Sequence, residues 1–348
     1  MYARHLEHIR VSADQAILKR GTTQLLLNGE NVHELLDRLL AMLDGTQTRS
    51  QIVDSFPEDQ RADVDKLLAG LQRRRLITEQ PDDDDGEPSL DSLQAAFWWN
   101  FGEVGSGAAE RLRQAHFIVV GANLISRSLI RSLLETGVGR LTLVDHTALN
   151  NEVAPLNLDA GENQKLVRVP ELPSEDELRD VSLLCASSDF GQPEALLEVN
   201  RLALRTGKPF LPVWLDDLRG YVGPLNYPHE SACLRCYRAR VESNNPDYKN
   251  ARAVQQHISG NPQARSRAGL LPPMAAVLGE IAAAELTKFV AVFPPTDVVG
   301  RIIEINLVSF QSDVRRVLKI PRCPDCSEMM QKATRAITMG PLIPYSEP

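Results

Sequence analysis

The 348-residue chain is 43% hydrophobic and 24% charged and carries a net charge of −8, the balance of a soluble globular protein with room for two or three domains. That acidity excludes a chain built as a whole to grip nucleic acid or an anionic membrane. No apolar run reaches the roughly 20 residues that cross a bilayer, and "MYARHLEHIRV" lacks the apolar stretch of a secretion signal, so the expected address is the cytoplasm.

The first 80 residues read as one small unit. "HLEHIRVS", "QAILKRG" and "TQLLLNGE" are short strand-like runs broken at polar or glycine positions. "NVHELLDRLLAMLDG" then spaces Val32, Leu35, Leu36, Leu39, Leu40 and Leu43 as one face of a helix. "TRSQIVDSF" gives a second helix. "PEDQRADVDKLLAGLQRRR" gives a third, with acids at its start and arginines at its end, as the helix dipole favours. "LITE" returns as a strand. Three strands followed by three helices predict a winged-helix-like domain over residues 1–80.

Residues 81–94 follow as an acidic linker; the run Asp82 to Asp85 reads as solvated charge rather than a metal site. In "AAFWWNFG" the paired tryptophans Trp98 and Trp99 read as packing of the incoming segment or a dimer contact. From there the pattern alternates. "FIVVG" is a buried strand, "NLISRSLIRSLLETG" a helix and "RLTLVD" a second strand, with Asp145 about 25 residues beyond Gly121. "VSLLCASS", "PEALLEVNRLALRTG" and "KPFLPVWL" continue as strand, helix and strand, and "LRGYVGPLNY" as a strand or hairpin. Residues 242–269 are polar and read as a mobile loop. "LPPMAAVLGEIAAAELTKFV" is a buried helix entered through two prolines, and "RIIEINL" and "VRRVLKI" form a late hairpin. Residues 95–330 thus make a Rossmann-like α/β domain, with 331–348 as a tail. His5, His8 and His116 have no neighbours in sequence that make a metal or acid–base case.

Four of the five cysteines form two C-x-x-C pairs, Cys233 with Cys236 and Cys323 with Cys326. In a reducing compartment this spacing reads as a structural zinc site, because one turn supplies two thiolates and four leave no open position. Cys185, inside "VSLLCAS", reads as an inert core residue.

The order of "GVGRLTLVD", "ACLRCYRA" and "RCPDC" resembles the ThiF-like members of the ubiquitin-activating superfamily over roughly residues 92–330. The resemblance implies ATP-dependent adenylation of a C-terminal carboxylate. That chemistry needs a glycine turn against phosphate, an acid on the ribose, basic residues on the phosphates and an acid for magnesium. Gly121 and Asp145 match, Lys165 corresponds to the family lysine, and Asp189 falls where the magnesium-binding acid stands, the one catalytic candidate if the site is active. Asn123 and Ser126 replace expected glycines, and side chains there crowd a phosphate. "NNEVAPLNLD" offers Asn151 but not the family arginine, which would stabilise charge developing during adenylation. The segment between Asp145 and Asp189 is short and is expected to lack one helix and one strand of the nucleotide fold. On the plain alternative, Asp145 and Asp189 are inherited strand-end acids, and Gly121 serves only the turn.

The N-terminal unit resembles the PqqD-like peptide-recognition domain of enzymes that mature ribosomally made peptides. Its fusion to a ThiF-like domain occurs in microcin-type adenylating enzymes, which keep the ATP motifs. It also occurs in ocin-ThiF-like cyclodehydratase partners, whose ATP chemistry sits in a separate YcaO protein. The altered motifs fit the second setting. The resemblance implies that a precursor's leader adds as a strand along Thr23, Gln24, Leu25, Leu26 and Leu27, with apolar side chains against Val64, Leu67, Leu68 and Leu71. The same leucines also suit a plain core. Arg73, Arg74 and Arg75 either attract an acidic leader or form a solvated helix end.

The reading is a peptide-binding, zinc-containing protein, a homodimer as its relatives commonly are, that presents a precursor to a YcaO-type or other tailoring enzyme. The alternative is an active adenylating enzyme using ATP and magnesium. A DNA regulator built on the winged-helix-like unit is disfavoured by the acidic charge.

Overall fold

The computed structural model describes residues 1–3, 6–21, 23–74, 76–79, 90–99, 107–151, 158, 164–191, 193–228, 230–260, 269–292 and 294–327. The chain divides into two compact units, Met1–Gly102 and Glu103–Pro348.

In the first unit β1 (Glu7–Ser12), β2 (Gln15–Arg20) and β3 (Thr23–Asn28) form an antiparallel sheet in that order, with β2 central. Alternation along β2 buries Ala16 and Leu18 on one face, as a strand period of two requires. Against that face α1 (Val32–Ala41), α2 (Arg49–Asp54) and α3 (Glu58–Arg73) contribute Leu36, Leu39, Ile52, Val64, Leu68 and Leu71, all fully buried in one cluster. Thr48 caps α2: its hydroxyl accepts from Gln51 N–H while the Gln51 side chain accepts from Thr48 N–H. "LITE" returns only as a bridge, Thr78 exchanging backbone bonds with Tyr2 at 2.8 and 2.9 Å. Helix α4 (Leu90–Trp99) takes in residues 90–94, assigned above to the linker, and buries Trp98. The side chain of Trp99, the acidic run Asp82 to Asp85 and the tail 331–348 lie outside the described residues.

The second unit is built on an eight-stranded sheet ordered β11-β10-β9-β8-β7-β4-β5-β6. Its parallel part comprises β4 (His116–Val120), β5 (Arg140–Val144), β6 (Lys165–Val169), β7 (Leu183–Ser188) and β8 (Phe210–Asp216). Strands β9 (Arg219–Val222), β10 (Arg301–Asn306) and β11 (Ser312–Arg316) complete it antiparallel. The central strands are buried along nearly their whole length, the signature of a sheet covered on both faces. Helices α5 (Ala108–Gln114), α6 (Leu124–Glu135), α7 (Pro193–Thr206), α8 (Leu234–Asn244), α9 (Tyr248–Gly260) and α10 (Pro272–Ala291) connect them.

Helix α10 lies close against α6. A Cβ built on Gly279 would meet Ile125 O at 2.6 Å and Ser128 Cβ at 2.8 Å, so glycine is what permits the approach. Two expectations need correcting. Residues 242–269 are not a loop: α8 runs to Asn244 and α9 fills 248–260, while 261–268 lie outside the described residues. The stretch between Asp145 and Asp189 is not missing its strand, because β6 pairs parallel with β5 there.

From β4 the chain moves to β5 and β6 on one side, then returns to place β7 on the other. That reversal opens a crevice outside the carboxyl ends of β4 and β7, where open α/β sheets bind ligands.

Candidate functional site

Gly121 leaves β4 at φ +97°, a conformation that only glycine adopts freely. A Cβ there would lie 2.7 Å from both Leu149 Cβ and Ser187 O. Asn123, fully buried, then caps α6. Its Oδ1 accepts from Ile125 and Ser126 N–H, each at 3.1 Å, and from Ser187 Oγ at 3.1 Å. Its Nδ2 donates to Ser187 O at 2.8 Å and Leu149 O at 3.0 Å, tying the turn to β7. Ser126 closes the capping box by accepting from Asn123 N–H at 2.9 Å.

Asp189, just past β7 and 1% exposed, takes the remaining donor of that first turn. Its Oδ2 accepts from Leu124 N–H at 3.1 Å and Asn151 Nδ2 at 2.9 Å. Burial pushes its carboxyl above the usual range, against the pull of those two bonds. Its Oδ1 and the neighbouring Ser188 Oγ have no hydrogen-bond partner among the described residues. The backbone donors that make a helix start an anion site are therefore filled by the chain's own carboxamide and carboxylate.

Asp145, past β5, is likewise engaged. Arg168 on β6 grips it through both nitrogens, Nε to Oδ2 at 2.9 Å and Nη2 to Oδ1 at 2.7 Å. Asn150 adds a third bond at 2.9 Å while its own Oδ1 accepts from Ala122 and His146 N–H. The Arg168 hydrogen bonds, more than its charge, hold the Asp145 carboxyl below the ordinary carboxylate value. Lys165 does not join this group: it is exposed and pairs with Arg140 at the opposite end of the sheet. The structure thus brings Gly121, Asp145, Asp189 and Asn151 to one crevice, together with Arg168 and Asn150, which the sequence did not single out. Only the parallel register of β5 and β6 brings Arg168 beside Leu143, next to the end of β5.

The two C-x-x-C pairs converge. The sulfurs of Cys233 and Cys236 lie 3.9 Å apart, Cys233 and Cys323 3.8 Å, and Cys236 and Cys326 3.5 Å, all buried. Thiolates around a tetrahedral zinc ion at about 2.3 Å would stand about 3.8 Å apart, so the cluster could hold such a metal. Asn200 on α7 links both knuckles. It accepts from Leu234 N–H at 3.2 Å, at the start of α8, and donates to Asp325 at 3.3 Å. Ile320 N–H points at the Cys236 sulfur at 3.4 Å. Cys185 stands apart, its thiol pushed far up by complete burial.

In the first unit β3 is an edge strand of the sheet, unpaired on its outer side among the described residues. Thr23, Leu25 and Leu27 are half-buried, while Gln24 and Leu26 are exposed. Val64, Leu68 and Leu71 are wholly buried in the unit's own core, leaving Leu67 as the α3 leucine with surface to offer. Arg73 and Arg74 are exposed, and Arg75 lies outside the described residues. His8, without partners in sequence, has two in space: Asp37 at 2.8 Å and His33 at 3.0 Å. His5 lies outside the described residues. No helix is long and apolar enough to cross a membrane, among the described residues.

A doubly wound sheet with its crevice at β4 and β7 is the architecture of the nucleotide-fold class of proteins. The ThiF family matches residues 147–328, more than half of the sequence, and the chain belongs to that family. The sulfur carrier protein adenylyltransferase of Thermus thermophilus is 26% identical over 252 residues, covering 65% of this chain and 87% of that protein. The crystal structure of E. coli MccB superposes with a TM-score of 0.67 at 14% identity, covering 95% of this chain and 97% of MccB. The heterocyclase TruD superposes with a TM-score of 0.61 at 22% identity; this chain is covered over 99% but spans only 45% of TruD. The likeness to both structures is one of fold.

Proposed function

We propose that this protein binds the leader of a ribosomally made precursor peptide and presents it to a separate tailoring enzyme, without adenylating it. The observation that carries the reading is the self-filled crevice. Asn123 and Asp189 occupy the first turn of α6, and Arg168 occupies Asp145, so phosphate and ribose would each have to displace an internal partner. Displacing Arg168 breaks a two-pronged charged contact, and displacing Asp189 from Leu124 leaves a buried carboxyl with Asn151 as its side-chain donor. Asp145 and Asp189 are on this account structural acids.

A further fact supports the reading: MccB has been crystallised with the peptide MccA, so a chain of this fold accommodates a peptide. The tailoring enzyme would be YcaO-type, as the resemblance drawn from the sequence implies. The leader would add to β3 by main-chain pairing, with side chains against Leu25, Leu27 and Leu67. Cys233, Cys236, Cys323 and Cys326 would hold a structural zinc ion, whose role is to tie α8 to residues 320–327. A homodimer in the cytoplasm is the expected state.

The likeness to an adenylyltransferase keeps a second reading, an active ATP-dependent adenylating enzyme. ATP–pyrophosphate exchange with a cognate precursor separates the two. No exchange, together with nucleotide-independent leader binding that is lost on deleting residues 1–80, supports presentation. Robust exchange abolished by Asp189→Ala overturns it.

A further inference from the structure

The outer face of the N-terminal sheet carries an apolar row that stops at the free edge. Ile9 pairs with Ile17, and Ile17 with Leu26, so the three side chains line up across β1, β2 and β3 on the face turned away from the core. Ile9 is 40% exposed and Leu26 52%. The flanking rows are polar: Glu7, Lys19 and Gln24 on one side, and Gln15 hydrogen-bonded to Asn28 on the other.

The ladder phase says which residues address the edge. Gly29 N–H donates to Asp14 O at 2.9 Å, so the hydrogen-bonded pairs alternate through Ala16 with Leu27 and Leu18 with Leu25. Gln24, Leu26 and Asn28 therefore turn their N–H and C=O groups away from β2, toward any added strand. A residue bonded to Leu26 would place its side chain on the outer face, at the open end of the apolar row. Its two neighbours in the added strand would point inward, beside the half-buried Leu25 and Leu27.

Resting on the reading that β3 takes a peptide strand, we infer that Leu26 is a specificity-determining residue. The segment recognised carries three consecutive apolar residues, bracketed by polar ones, rather than the alternating pattern of an ordinary half-buried strand. The middle residue of the triplet is the one selected by Leu26.

The test is a displayed library of random decapeptides panned on the full chain and on two variants, Leu26→Lys and Leu26→Pro, each checked for fold by circular dichroism. On the native chain the expected motif has an apolar triplet, with apolar residues favoured about two- to fivefold at its centre, the worth of a cross-strand pair. Leu26→Lys should convert the central preference to Asp or Glu and leave both flanking apolar positions intact. Leu26→Pro removes the central of the three edge-facing N–H groups without breaking a bond to β2 and should abolish enrichment of any motif. If Leu26→Pro abolishes binding but the native motif alternates, or Leu26→Lys leaves it unchanged, the inference fails and edge binding stands. If no motif is enriched on the native chain, or enrichment survives Leu26→Pro, edge binding itself fails.

Discussion

The side chain of Asn123 caps α6 from within the chain and ties its first turn to β7. Asn123→Ala should lower the stability of the second unit by about 1–2 kcal/mol, the usual cost of losing an N-cap. Chemical denaturation would measure it, and an unchanged midpoint would contradict the capping role. His116 offers a pH signature. Burial, then the charges of Arg140 and Lys165, depress its imidazole to about 4 from an ordinary 6.5. The unfolded chain thus takes up a proton near pH 6.5 that the folded chain refuses until about pH 4. His116 therefore lowers stability progressively as pH falls through that window and has no effect above it. His116→Gln, which can keep the contact with Thr142 (2.9 Å), should flatten that part of the pH–stability profile.

At the scale of elements, helix α10 against α6 is set by Gly279. Gly279→Ala should cost about 1–3 kcal/mol by overpacking, read as a lowered thermal midpoint. Much of the element order was legible. The period-two runs gave the three-stranded sheet, and the strand, Gly121 and helix succession gave β4 and α6. What escaped was tertiary. Helix α9 reads as a loop in sequence because Tyr248, Ala251, Ala253, Val254 and Ile258 are its few apolar residues, and most of its surface is exposed. The Asp145–Arg168 contact needs two strands in register, which no local spacing encodes. The α3 leucines illustrate the limit differently. Helical periodicity marks a face, but it does not say that Val64, Leu68 and Leu71 are wholly buried in the core while Leu67 packs against it only in part.

For the whole molecule, the cysteine pairs bring together segments far apart in sequence, the start of α8 and residues 323–326, which a bound metal would tie. A native preparation should contain one zinc ion per chain by atomic spectroscopy. Cys323→Ser or a strong chelator should remove it and lower the thermal midpoint, while the peptide binding proposed for the N-terminal unit, which has its own core, should persist. The crevice at the ends of β4 and β7 is filled from within by Asn123, Asp189 and Arg168. Calorimetric titration of the full chain with ATP and magnesium shows whether a nucleotide can displace them. We predict no saturable heat at millimolar nucleotide. Saturable binding in the micromolar range, lost in Asp189→Ala, would contradict the claim.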